Sequence, residues 1–171
     1  ALGVDDEILQ RLAALGEHLL NAGFNVTAIT EPGEIERRHF LDSLSLLELP
    51  CVREARNIVD IGSGAGMPAL ILSLVVDARV VALESQRKKC SFIARVAESL
   101  SLSNLTVECA RAESYGVGKG RGMHDLAVSR ALAQLPVVAE YSLPLLSMRG
   151  HMLAMKAAIS DEERTRAESA L

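Results

Sequence analysis

The chain has 171 residues, enough for one domain around one core. Hydrophobic residues make up 49 %, which argues against disorder; aromatics are 3 % and Trp is absent, so Leu, Val, Ile and Ala must build the core. A formal net charge of −4 argues against a nonspecific basic coat for nucleic acid and leaves room only for a local basic patch. In chain order, Ile8, Leu12, Leu15 and Leu19 recur at helical spacing and predict an amphipathic helix over residues 5–22. A second helix carries Ile35, Leu41, Leu44 and Leu47, with Pro32 and Gly33 marking its start. From Asn57 the pattern alternates between strand and helix. Strands are predicted at Asn57–Ile61, Val80–Glu84, Leu105–Cys109, Asp125–Ser129 and His151–Met155. Helices are predicted at Pro68–Val76, Lys88–Leu100 and Leu135–Leu143, with Pro136 tolerated in a first turn. A last helix begins at Asp161 and runs to Leu171, with Ser160 as its N-cap. Gly116–Gly122 holds four glycines and reads as a flexible loop.

Apolar strands alternating with helices imply βαβ units and a mostly parallel, Rossmann-like α/β sheet with helices on both faces. Residues 1–50 are expected to form a helical extension packed on that core, and residues 51–171 the main domain. Such sheets bind ligands beyond the carboxyl ends of their strands, so functional residues should follow each strand.

The first strand runs into Asp60-Ile61-Gly62-Ser63-Gly64-Ala65-Gly66-Met67-Pro68. Glycines there permit a tight turn and let a ligand approach the backbone. A dinucleotide fold would show G-x-G-x-x-G to seat a pyrophosphate at the helix N-terminus. Here the third glycine comes one residue early and Met67 takes its place. The resulting D-x-G-x-G-x-G is the loop pattern of S-adenosylmethionine enzymes, whose ligand carries a zwitterion and a sulfonium rather than a pyrophosphate. The alternative is a plain glycine turn. Glu84 ends the second strand, where a carboxylate can accept two hydrogen bonds from a ribose diol; that supports a nucleoside ligand without choosing one. Ser85 follows it, and Ala112-Glu113 follow the third strand, where an adenine is usually faced.

Together these residues resemble the glucose-inhibited division protein B family, the 16S ribosomal RNA guanine-N7 methyltransferases. The resemblance runs from Asn25 to Lys156. It rests on Asn25-Val26-Thr27-Ala28-Ile29, Arg38-His39-Phe40-Leu41-Asp42-Ser43, Asp60 to Pro68, Arg111-Ala112-Glu113, Ser129-Arg130-Ala131 and Met155-Lys156. It implies the class I S-adenosylmethionine-dependent methyltransferase fold, with S-adenosylmethionine as cofactor. Gly62, Gly64, Met67, Ser85, Ala112, Glu113 and Arg130 would line the cofactor site, with Glu84 on the ribose. Ala69 departs from the glycine usual in the family, and the family continues past Leu171 with two more strands. The implied substrate is 16S ribosomal RNA, within the 30S subunit.

Nitrogen 7 of guanine carries an in-plane lone pair and no proton, so its methylation needs alignment rather than a general base. The sequence fits that: no Asn/Asp-Pro-Pro-aromatic motif follows the fourth strand, which ends in Ser129-Arg130. Arg130 is the candidate positioning residue at the reaction centre. Arg38 with His39, the run Arg87-Lys88-Lys89, and Lys156 are candidate RNA contacts, each set against a solvated charge; the alternative for His39 is to cap or pair with Asp42 within the fold. A small-molecule methyltransferase is the rival reading. Cys51, Cys90 and Cys109 show no metal-binding spacing and are expected as free thiols, with no metal. No apolar run approaches the ~20 residues of a membrane span. No signal peptide is evident either. A cytoplasmic monomer is therefore expected. The chain lacks an initiator Met and stops within a helical pattern, as a piece of a longer chain would.

Overall fold

The apolar stripe of the first segment produces α1 (Asp6–Leu20), which buries Leu12, Leu15 and Leu19. Each contributes roughly 1.5–3 kcal/mol relative to exposure. Asp5 caps this helix, its side chain accepting from the Ile8 N–H at 2.9 Å. The structure, a computed structural model, describes residues 5–23 and 31–168. Asn25–Ile29, part of the family resemblance, lies outside the described residues.

The predicted second helix is not continuous. It divides into α2 (Pro32–Ile35), a π-helical stretch (Glu36–Leu41), α3 (Asp42–Ser45) and a 3₁₀ turn (Leu46–Glu48). The wider turn brings both His39 and Phe40 into the interior. A short α4 (Pro50–Glu54), with Pro at its first position, leads into the sheet and was not foreseen.

The remaining elements are β1 (Asn57–Ile61), α5 (Ala69–Val75), β2 (Arg79–Glu84), α6 (Arg87–Ser99), β3 (Leu105–Cys109) and α7 (Ala112–Val117). They are followed by β4 (His124–Arg130), α8 (Leu135–Ser142), β5 (Leu146–Met155) and α9 (Asp161–Glu168). The five strands are all parallel, in the order β3-β2-β1-β4-β5. β1 is central and covered on both faces, so it is apolar except for Asn57, at its start, and Asp60. The N-terminal helices share one core with the sheet: Leu15, Ile35 and Leu44 pack in the same cluster as Ile58, Leu70 and Ile93.

Two boundaries moved appreciably. α7 occupies the start of the glycine-rich segment expected to be loop. β5 begins at Leu146 rather than His151, because a register irregularity opposite His124 and Leu126 lets the strand continue past Gly150, with Arg149 at φ +69°. The last helix is capped as expected, Ser160 Oγ accepting from the Glu163 N–H at 3.1 Å.

Candidate functional site

The order reverses between β1 and β4, and the glycine loop leaves β1 at that switch point. Gly62, Gly64 and Gly66 have φ of +70°, +57° and +90°, the left-handed region that L side chains avoid. The loop is anchored from below: the N–H groups of Gly62 and Ser63 both donate to the Leu83 carbonyl, at 2.8 and 3.1 Å. At Gly66 an added Cβ would meet Leu70 Cδ1 at 2.4 Å, whereas at Gly64 the nearest atom is the Gly62 carbonyl oxygen at 3.8 Å. Gly66 is therefore glycine for packing, and Gly64 presents open backbone.

Two carboxylates organise the loop. Asp60 is fully buried; its Oδ2 accepts from the Ala69 N–H at the start of α5, at 3.2 Å, while Oδ1 has no hydrogen-bond partner. Burial pushes the Asp60 carboxyl up to about 7, against hydrogen bonds from Ser63 and Ala69 and the charge of Arg130. Glu84 is buried at the end of β2. Its Oε2 accepts from the Gly64 N–H at 2.9 Å and its Oε1 from the Gln86 N–H at 2.8 Å, so it ties the glycine loop to the first turn of α6.

Gly62, Ser85, Ala112 and Glu113 line one cavity of about 70 Å³, together with Leu83 and three residues that the sequence reading missed: Arg111, Leu132 and Tyr141. Nucleoside-sized ligands need pockets of roughly 300 Å³ or more. Leu132 lies tight against the glycine loop: a Cβ on Gly62 would meet Leu132 Cδ1 at 2.6 Å. Leu132 directly extends the Ser129-Arg130-Ala131 motif, which is where a signal for it lay.

Met67 is 2 % exposed and packs in the core cluster. Arg130 ends β4, mostly buried; desolvation lowers its pKa while Asp60 and Asp42 raise it, and it stays a cation.

The basic residues separate into two groups. Arg87 and Lys88 are exposed, and Lys89 is half-buried, in the first turn of α6. Cations there oppose the helix dipole, an arrangement that the fold alone does not favour. His39 and Lys156, both expected to contact RNA, are engaged within the fold. His39 is 2 % exposed, and burial, with the nearby charge of Arg130, lowers its pKa to about 4, so it is neutral near pH 7 and has no surface to offer a phosphate. Lys156 Nζ donates to the Ala133 carbonyl at 2.9 Å and pairs with Glu163 at 2.5 Å. Glu163 in turn accepts from the Leu135 N–H at 2.6 Å, so the pair staples the start of α8 to β5 and α9. Arg38 lies in the π-helical stretch and its side chain is outside the described atoms. Among the described residues there is no cluster suited to a metal ion, and no helix is long and apolar enough to cross a membrane.

A family model described as rRNA small subunit methyltransferase G matches residues 7–171. A protein of Rubrobacter xylanophilus named ribosomal RNA small subunit methyltransferase G is 40 % identical over 167 residues, covering 94 % of this chain and 64 % of that protein. Its namesake from Deinococcus radiodurans is also 40 % identical, over 95 % of this chain and 66 % of its own length. The chain thus spans just under two thirds of these relatives. Among solved structures, the S-adenosylmethionine-dependent O-methyltransferase of Thermotoga maritima has a TM-score of 0.62 at 16 % identity, over 92 % of this chain and 54 % of its own. The [4+2]-cyclase SpnF has a TM-score of 0.65 at 16 % identity, over 96 % of this chain and 71 % of its own. At such identity these two establish the fold, the class I S-adenosylmethionine-dependent methyltransferase architecture, and not a reaction.

Proposed function

The chain belongs to the rRNA small subunit methyltransferase G family, and on that premise we propose that it transfers a methyl group from S-adenosylmethionine to nitrogen 7 of a guanine in 16S ribosomal RNA. The observation that carries the cofactor reading is the pair of carboxylates under the glycine loop. A dinucleotide would place its pyrophosphate against free amides at the start of α5. In this chain Asp60 already caps Ala69 there, and its carboxyl, like that of Glu84 beside Gly64, would repel a phosphate when ionised. A ligand with an ammonium and a ribose diol suits the same surroundings. Gly62, Gly64 and Glu84 would hold it, with Ser85, Ala112 and Glu113 around the base.

When bound, this cofactor supplies an electrophilic methyl. The protein's task is then to present the guanine edge in line, without removing a proton. Arg130, at the end of β4 between Asp60 and the N-terminal helices, is the residue we assign to that positioning. Arg87, Lys88 and Lys89 would hold RNA phosphate beside the cofactor mouth, and Arg38 stays a candidate on sequence grounds. His39 and Lys156 would act indirectly, through the packing of the rim. The substrate form we propose is the 30S subunit, met by a monomer in the bacterial cytoplasm.

Two measurements test this. Calorimetry should show binding of S-adenosylhomocysteine and none of NAD; the reverse would sink the cofactor assignment. Small subunits incubated with the protein and labelled cofactor should gain label at a guanine N7; label that reaches only small molecules would favour the rival reading.

A further inference from the structure

We propose that Cys90 and Cys109 are a reactive thiol pair, closed by peroxide into an intramolecular disulfide that weakens ligand binding at Glu84. Both cysteines sit beside the same strand-end residue, Glu84. Cys90 lies in the first turn of α6, and its thiol donates to the Glu84 carbonyl at 3.2 Å. Cys109 ends β3 directly beside Glu84, its register partner across the parallel pair. Neighbouring strands lie about 4.8 Å apart. The amide that follows Cys109, that of Ala110, donates to the Glu84 carbonyl as well, at 3.0 Å. The two thiols are different in access: Cys109 is exposed and Cys90 is buried. The Cys90 thiol is pushed up to about 12, first by burial and then by the Cys109 thiol as hydrogen-bond partner and neighbouring charge. Cys90 is thus a poor first nucleophile, and the accessible Cys109 meets the oxidant.

The chemistry balances with hydrogen peroxide as the oxidant. The Cys109 thiolate attacks one peroxide oxygen, the O–O bond breaks, and hydroxide leaves a sulfenic acid. The Cys90 sulfur then attacks the Cys109 sulfur, and the S–O bond breaks. The departing hydroxide takes the Cys90 proton as water. Two thiols lose two electrons in all, and one peroxide becomes two waters. Bond formation removes the thiol donor from the Glu84 carbonyl and draws the first turn of α6 toward β3. That turn includes the residue next to Gln86, whose N–H holds the Glu84 carboxylate. The effect on ligand binding rests on the cofactor reading above; the disulfide itself does not.

The experiment treats the purified protein with hydrogen peroxide and maps its peptides without reduction. The expected product is a Cys90–Cys109 linked peptide within monomeric protein, reversed by dithiothreitol. The oxidised protein should bind S-adenosylhomocysteine at least about fivefold more weakly, with recovery on reduction. Cys109→Ser should abolish both the link and the sensitivity. Cys51→Ser should keep both, since Cys51 lies on α4 at the opposite end of the sheet. Oxidation of Cys109 to sulfinic acid without a link would overturn the pair. A link that leaves affinity unchanged would overturn its coupling to Glu84. Failure of the reduced protein to bind the ligand at all would count against the cofactor reading alone, because the linked peptide is read independently.

Discussion

The two halves of the strand-end rim are built differently. On the β1–β2 side the functional groups are held by backbone: three left-handed glycines, the Leu83 carbonyl, and a carboxylate accepting two amides. On the β4–β5 side the cations answer to the protein's own groups, Lys156 to Glu163 and Ala133, Arg130 to Asp60 and Asp42. The first half presents open backbone and buried carboxylates, the site proposed for the cofactor, whereas much of the second is occupied in holding itself together. A basic residue on this rim is therefore no guide to RNA contact until its protein partners are known.

The largest effect that would sharpen this contrast is at Gly66. Gly66→Val adds left-handed strain to a collision with Leu70 Cδ1 at 2.4 Å and Cγ at 2.8 Å. It should cost about 3 kcal/mol or more in urea unfolding. Gly64→Val meets open space and should cost only about 1–2 kcal/mol. It should nonetheless lose most of its affinity for S-adenosylhomocysteine. Equal stability losses at the two positions would erase the distinction between a packing glycine and a binding one.

Next comes Lys156→Ala. Removing the cation leaves Glu163 holding the α8 amide without its counter-charge, so the thermal midpoint should fall, as followed by circular dichroism. RNA affinity should change little at a temperature where the variant is folded. Unchanged stability with weakened RNA binding would return Lys156 to the RNA surface.

The triple change Arg87→Ala, Lys88→Ala, Lys89→Ala should do the opposite. Stability should hold or rise by about 1 kcal/mol, because cations leave a helix N-terminus. The log–log salt slope of RNA binding should become shallower by about 2. An unaltered slope would make this run a solvated helix start.

The contrast can also be read from pH dependence. Burial lowers His39 and His124 to about 4 from 6.5. The unfolded chain takes up those protons near 6.5 and the folded chain resists until about 4, so stability falls as pH drops through that window. Asp60 acts oppositely: raised from 3.8 to about 7, it gives stability that is fully present below about 4 and is lost as pH rises through 7. Two groups against one leave a net loss of about 1.4 kcal/mol per pH unit on acidification between 6.5 and 4. Asp60→Asn should steepen it towards twice that slope. A profile that is flat in both proteins would show that these burials do not control the charge states.

What the sequence disclosed follows the same division. The glycine loop and Glu84 were legible because backbone conformation and strand ends leave local signatures. Helix α1 and strands β1 to β4 were legible from periodicity. The fates of His39 and Lys156 were not, since they depend on Arg130, Ala133 and Glu163, which are remote or lie across a helix–strand contact. The π-helical stretch keeps a helical apolar pattern and so hides its extra width. Leu132 was passed over because an apolar side chain after Arg130 looks like core until the cavity is seen.

The strand order also sets a timetable for a chain being made. The Gly64–Glu84 bond joins residues 20 apart, whereas the Asp125 carboxylate that accepts the Arg56 amide beside β1 is 69 away. Closing the longer loop costs only about 1 kcal/mol more in entropy. Time matters more: at roughly 5–20 residues per second, β4 emerges from the ribosome some seconds after β2. Throughout that interval the β4-facing edge of β1 has no partner strand, although Ile58, Val59 and Ile61 are almost fully buried in the finished sheet. Nascent chains of this topology are thus most vulnerable to sticking while they already carry the glycine loop and lack the strand that guards it.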